Sequence, residues 1–446
     1  MPGQFLSDSC FLRRSLIVVF LAAIALRLLV FGFQLQQRET ASLNSATPDV
    51  SVYHEAAVEI REQLNYDSRG VMIFGPGYPT FLAFVSIFSS SPVFAILVQI
   101  ILSSISCALI LILAWQLIGE RRIALLAGLL GATSMCAICL ANVLLSDSLF
   151  FTLIIAGMVV YIQGLQKDRL WYFLPAGILF GAAVLTRSIG LFFFVSLLIT
   201  SASLIWSLPK DPQQRPLRRM SRSLLTVAIM LLIVLGWTTR DRERGDPPLA
   251  LSSYIGITKI VAQTEARINE IAYDTAMVRF TEGIVALKEQ KFDGNHGLAW
   301  MAHAESEFAR LLLCCPGSLA TTVLNNAIDN SCSEYSLFPA VLPQWESRYR
   351  KQVGNIGRVG TQYRVAVFSL AGFLMLLFKR KYGLAIILVT IYLYFAILSG
   401  FTLHQGNRIF YPGQIAWAIL CSYALINIAD AVLNVLRRRR EKNLTA

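Results

Sequence analysis

Charge is scarce in this 446-residue chain: Asp, Glu, Lys and Arg together make up only 15% of it. Long apolar stretches succeed one another, and their interiors hold almost no ionisable residue beyond Arg27. Proton and ion relays through a bilayer need ionisable side chains at membrane depth, so the sequence argues against that class. It also lacks a matching pair of interrupted apolar segments in two halves, the usual pointer to a secondary transporter. The eight cysteines make no framework. Cys107, Cys136, Cys139 and Cys421 fall in apolar stretches, and Cys136-x-x-Cys139 has metal-like spacing without other ligand types beside it, so it reads as small packing residues. Cys314, Cys315 and Cys332 fall in a polar insertion, where a disulfide from Cys332 to either of the other two is one reading and free thiols the other.

Apolar surface is abundant. The chain is 55% hydrophobic, with a mean hydropathy of +0.59, which excludes an ordinary soluble domain. Crossing a hydrocarbon core of roughly 30 Å takes about twenty residues as a helix. Ten segments meet this reading: 15–35, 93–117, 122–143, 148–165, 170–186, 189–207, 222–238, 362–378, 383–400 and 409–435. The expected fold class is an all-α polytopic membrane protein. The shorter run 76–90, opened by Pro and Gly, reads as an interfacial or re-entrant helix. The first segment carries Arg27 and lacks a convincing small-residue cleavage site, so it reads as a retained signal anchor.

Basic residues orient the spans. With the N-terminus inside, the turns at Arg13-Arg14, Glu120 to Arg122, Lys167 to Arg169, Lys210 to Arg222, Lys379 to Lys381 and the tail from Arg437 share one side. They hold about nineteen basic and six acidic residues, and the other side is close to neutral. The net charge of +12 is therefore mostly a topology signal, and no nucleic-acid partner is implied. Both termini are expected in the cytoplasm of a cell whose inner (plasma) membrane holds the chain.

Three regions follow. Residues 1–238 form a membrane module with a first outer loop at 36–91. Residues 239–361 form an outer-side (periplasmic) insertion, with amphipathic helical stretches near Ser253–Thr264, Tyr273–Gln290 and Leu298–Leu313. Residues 362–446 complete the spans and end in the basic tail. An insertion of that size suits a lid better than an independent enzyme. Gly177 and Gly181, four residues apart, would let two helices approach closely.

Polar residues gather at the outer ends of the spans. Asp49 opens the first outer loop in PDVSVYHEAA, followed by Tyr53 and His54, and Gly75-Pro-Gly-Tyr-Pro79 contributes Tyr78. Asp147 starts the fourth span, Arg187 closes the fifth, Arg240 closes the seventh, and His404 and Arg408 precede the last. Two carboxylates and several arginines at one face fit glycosyl transfer from a polyprenyl-phosphate-linked sugar. The leaving phosphate needs cationic stabilisation rather than an acid, for which Arg187, Arg240 and Arg408 are candidates. The attacking hydroxyl needs a base, a role that suits Asp49. Asp147 could orient the acceptor, hold a divalent metal or support Asp49. Attack opposite the phosphate would invert the anomeric centre. The partners would be the lipid-linked donor, an acceptor glycan, lipid or protein, and membrane lipids.

The order of these features resembles the GT-C class of polyprenyl-phosphate-dependent glycosyltransferases, especially the bacterial branch related to protein O-mannosyltransferases and the lipid A aminoarabinose transferase. The resemblance rests on Asp49, Tyr53 and Ala57, Pro76 to Pro79, Ser146-Asp-Ser148, Thr186-Arg187, Trp237 with Arg240-Asp241, Gly245 with Ser252-Ser253, and Arg408 with Tyr411-Pro412. It implies a membrane-embedded transferase and a strand-like stretch at Ser252-Ser253. The chain departs from that pattern at Asp241, where Asn is usual, at Val50, where an acid is frequent, and at Ser188, where Pro often stands. The alternatives are a flippase or transporter for a lipid-linked sugar, a non-catalytic scaffold of glycan assembly, and a ligase of whole glycans. The early acid argues against the ligase.

Overall fold

A computed structural model describes residues 2–37, 48–207, 216–243, 251–292, 295–332, 365–402 and 408–445. Among them there is no strand. Among the described residues, seven helices are long and apolar enough to cross a membrane: α1 (Pro2–Gln37), α5 (Pro92–Ile118), α8 (Asp147–Lys167), α10 (Phe193–Ser207, extended by a preceding 3-10 turn), α11 (Pro216–Glu243), α17 (Tyr382–Ser399) and α18 (Gln414–Thr445). The expected span 122–143 is broken. It comprises α6 (Arg121–Ala132) and α7 (Met135–Ala141), bent by 50°. Ser134 causes the break, because its hydroxyl caps the new helix by accepting from the Ala137 N–H. The expected spans 170–186 and 362–378 are short apolar helices, α9 (Phe173–Thr186) and α16 (Val365–Phe378).

The bundle is centred on α8, which packs against α5 and α9; α9 in turn packs along α11. Gly177 and Gly181 make that last contact. A Cβ on Gly177 would lie 2.8 Å from Ile229 Cβ, and one on Gly181 would lie 2.7 Å from Ile233 Cδ1, so only glycine lets these helices meet at this distance. Arg27 is fully buried on α1. It donates to Ser103 Oγ, to the Ala23 and Ala132 carbonyls and to Cys107 Sγ, so the charge at membrane depth is met by dipoles from three helices. The outward faces of the bundle, such as Leu21, Leu29, Leu232 and Ile386, remain apolar and exposed, as a lipid-facing surface requires.

Basic turns that lie far apart in sequence meet at one end. Arg122 pairs with Asp430 at 2.7 Å through both nitrogens, joining an early turn to the C-terminal helix, and Arg222 engages Asp168 at the same end of α8. The opposite end carries the first loop, made of α2 (Pro48–Gln63), α3 (Arg69–Phe74) and α4 (Gly77–Ser86). The helix expected at 76–90 is therefore present as the ten-residue α4.

The insertion is wholly helical where described: α12 (Leu251–Ile268), α13 (Tyr273–Lys291), α14 (His296–Cys314) and α15 (Pro316–Cys332). One expectation is corrected here, and one helix is added to the three expected. Ser252-Ser253 lies within α12, not in a strand-like stretch. Pro316-Gly317 opens a fourth helix, because Pro at the first helical position loses no hydrogen bond. These helices bury a small core of their own around Tyr254, Ile260, Phe280, Ile284 and Leu311. They are fastened to the bundle through α15, where Asn330 Nδ2 donates to the Ser399 carbonyl at 2.8 Å. The Cys332 side chain lies outside the described residues, and so does the pairing expected of it.

Candidate active site

Four sequence-distant residues converge at the loop end of the bundle. Asp147 sits in the first turn of α8, only 3% exposed. Arg187 Nη1 donates to its Oδ1, and Arg408 Nε donates to its Oδ2 at 3.1 Å. Arg408 also reaches Asp49, with Nη2 3.5 Å from Oδ2. One buried acid is thus held by two guanidiniums, and one of these leans on a second acid whose side chain is 34% exposed.

Local structure explains each placement. The peptide after α9 turns extended at Arg187 (φ −150°, ψ 121°), so the side chain leaves the helix axis and points at the start of α8. The Gly-Pro-Gly-Tyr-Pro corner packs onto this point. A Cβ on Gly77 would lie 2.6 Å from the Thr186 backbone nitrogen, so glycine is required for the corner to seat there. Gly75 provides the turn before it, with φ +86°. Arg408 is followed by a 3-10 turn, Tyr411–Gly413, whose Tyr411 ring lies 4.5 Å from that of Phe151 on α8. Asp147 and its second arginine are therefore anchored on the same helix.

Tyr53 couples the loop to this cluster. Its hydroxyl donates to Ser146 Oγ at 3.1 Å, and its ring lies 4.7 Å edge-on from Tyr78 and 4.6 Å from Phe74. Burial raises the Tyr53 phenol to about 12 despite the nearby Arg187, so it is a hydrogen-bond donor and not a base. For Arg408, burial works against the charged form. The carboxylates of Asp147 and Asp49 outweigh it and hold the guanidinium above its ordinary value.

A cavity of about 620 Å³ opens in front of these groups, with Asp49, Tyr53, Arg187 and Arg408 in its wall. Apolar side chains, including Ile189, Leu191, Phe192 and Leu398, line one flank. Residues of the insertion complete it, among them Tyr254, Lys259, Glu305 and Phe308. Sequence reasoning assigned none of these four a role. They sit on amphipathic helices whose polar residues look like any solvated face, and only the docking of the insertion turns them toward the acids. Ser188, at one of the departures from the resemblance, hydrogen-bonds to Ser253 on α12 and ties the cavity rim to the insertion.

The remaining candidates lie elsewhere. Tyr78 is fully buried behind Tyr53, with its hydroxyl bonded to Gln99, whose amide donates to the Val143 carbonyl at 2.8 Å. Arg240 is outside the cavity wall. It bonds Asp67 and Asp241 and lies over the Trp237 ring at 4.6 Å, clamping the loop between α2 and α3 to the end of α11. His54 is half-buried and does not line the cavity. His404 lies outside the described residues. Val50 is fully buried, so an acid at that position would have no access to the cavity. No group of three or more His, Cys, Asp or Glu comes together among the described residues. Both oxygens of Asp147 are occupied by arginines, so this donor set does not fit a divalent metal.

Residues 76–238 match the family model described as dolichyl-phosphate-mannose-protein mannosyltransferase. That segment runs from the Gly-Tyr-Pro corner to the end of α11 and contains Asp147 and Arg187, but neither Asp49 nor Arg408. The archaeal oligosaccharyltransferase AglB from Archaeoglobus fulgidus, solved with an inhibitory peptide and a dolichol-phosphate, superposes with a TM-score of 0.54 at 14% identity, over 98% of this chain and 52% of that one. The fold is of the GT-C type. The apo form of the A. fulgidus enzyme gives a TM-score of 0.54 at 15% identity, covering 97% and 52%. ArnT from Cupriavidus metallidurans, in the apo state, gives 0.40 at 15% identity, covering 92% and 77%. The chain thus spans about half the length of the A. fulgidus structures. No curated protein sequence matches it.

Proposed function

We propose that this GT-C-type protein is a glycosyltransferase of the inner (plasma) membrane, with both termini in the cytoplasm. It would move a sugar from a polyprenyl-phosphate donor to an acceptor hydroxyl at the outer face. One observation carries the reading: of the two acids in the cluster, Asp147 is sealed by two arginines, whereas Asp49 presents a carboxylate to the cavity with, among the described residues, a single ion-pair contact at 3.5 Å. A base must be open on the side where the acceptor arrives, and only Asp49 is.

In the reaction, the acceptor oxygen forms a bond to C1 of the sugar and its proton passes to the Asp49 carboxylate. The C1–O bond to the phosphate breaks, and the lipid phosphate leaves with the electron pair. In-line displacement inverts the anomeric centre. Arg408 keeps Asp49 in place and, with Arg187, offers unused guanidinium N–H groups to the cavity, since each has five donors. The apolar flank at Leu191, Phe192 and Leu398 suits the first units of a polyprenyl chain. The family match over 76–238 supports this donor class.

Asp49→Asn separates this from a flippase of lipid-linked sugar. The transferase reading expects sugar transfer to fall while binding of the polyprenyl-phosphate donor persists. Undiminished transfer would remove Asp49 as the base.

A further inference from the structure

We infer that Lys259, carried by the insertion and not by the bundle, is the cation that receives the anionic phosphate of the substrate in this cavity. The inference rests on the proposed reading of a phosphate-linked donor.

The pattern of ion pairs carries it. Among the described residues, five charged side chains line the cavity: Asp49, Glu305, Arg187, Arg408 and Lys259. The bundle's share is already matched, since Arg187 and Arg408 face Asp147 and Asp49 in one connected set of ion pairs. A phosphate entering there meets two cations whose charge is offset by two carboxylates, and burying a further anion without a further cation is costly. Glu305 is hydrogen-bonded to Tyr254, one face of the same helix pair. No carboxylate forms an ion pair with Lys259 among the described residues. Glu305 is charged but makes no ion pair with Lys259, so among the described residues Lys259 is the cation of the wall whose ammonium is not already held by a carboxylate. Its side chain is half-buried and shares the cavity lining with Ile255 and Ile257, and a lysine ammonium is a compact point charge on a flexible stem that suits a phosphate oxygen. The insertion then does more than cover the cavity, because it completes the electrostatic complement of the donor.

The test uses the full-length protein in nanodiscs with a long-chain polyprenyl phosphate as probe, the parent polyprenol as control, and the variants Lys259→Met and Lys259→Arg. The wild-type protein should prefer the phosphate to the alcohol. Lys259→Met should weaken binding of the phosphate by about tenfold or more and leave the alcohol unchanged, while Lys259→Arg restores most of the preference. Competition by inorganic phosphate distinguishes the source. If it displaces the probe from the wild type but not from Lys259→Met, the site takes a free phosphate as well; if it displaces neither, the site requires a lipid-borne one. Both results keep Lys259 as the ligand. Equal binding of the polyprenyl phosphate by Lys259→Met and the wild type would overturn the inference. A wild-type protein that fails to distinguish phosphate from alcohol would instead overturn the reading of the donor.

Discussion

The two walls of the cavity are built differently. The bundle wall holds its charges in pairs: Asp147 is buried at 3% exposure between two arginines, and Tyr53, Tyr78 and Gln99 brace it from behind. The insertion wall rests on a small core of its own and presents an exposed Glu305 and an unpaired Lys259. Paired, buried groups keep a fixed geometry, which a reaction needs. Loosely held groups on a separate unit can adapt, which recognition needs. Under the proposed function, the difference fits chemistry on the bundle and selection of substrate on the insertion.

That division can be broken in several places. The largest effect is expected at Asp49. Asp49→Asn should lower sugar transfer by roughly a hundredfold to ten-thousandfold, with the melting temperature nearly unchanged, since the side chain is only half-buried. Asp147→Asn should act through stability as well as rate. It leaves Arg187 without its carboxylate and Arg408 with Asp49 alone, both partly buried, a loss of about 3 kcal/mol, visible in the thermal unfolding of the detergent-solubilised protein. A melting temperature equal to that of the wild type would show that the clamp is not structural.

Gly77→Ala is expected to cost about 1–3 kcal/mol and to reduce transfer, because the new methyl would press on the Thr186 backbone and shift Arg187. Donor binding measured alongside would show whether Arg187 has moved relative to the cavity. The smallest effect concerns the insertion and pH. His303 lies against the Phe280 ring at 4.5 Å, and burial lowers its pKa below the ordinary value. The neutral form is the one the fold holds, so its stabilising share is complete above the ordinary histidine pKa of about 6.5 and is lost as pH falls through the lowered value. Limited proteolysis of the insertion should rise between about pH 7 and pH 5 in the wild type and stay flat in His303→Phe. An equal rise in both would place the sensitivity elsewhere.

Most of the helices could be read in the sequence, because a run of apolar residues long enough to cross a bilayer has few other structures open to it. The break at Thr133 and Ser134 was less visible, since a single serine in an apolar run also occurs in straight spans, and what marks it as a cap is the hydroxyl turned to the Ala137 N–H. The fourth insertion helix was hidden behind Pro316-Gly317, a pair that marks a stop in one context and a helix start in another. Of the candidate site residues, Asp49, Tyr53, Arg187 and Arg408 share the cavity wall, with Asp147 directly behind. Arg240 and Tyr78 were drawn to the list by the same signals of polarity and position, yet their side chains are taken up by Asp67 and Gln99.

The sequence by itself determined that this chain is a helical membrane protein and which end of the bundle holds its uncommon acids, because hydrophobic length and the placement of charge are properties of local composition. Only the tertiary structure decided that one acid is closed and the other open. Asp49 and Asp147 are alike as residues. What separates them is the extended turn at Arg187, the glycine that lets the corner seat on Thr186, and the docking of α12 over the cavity. Those are contacts between segments far apart in the chain, and no local pattern encodes them.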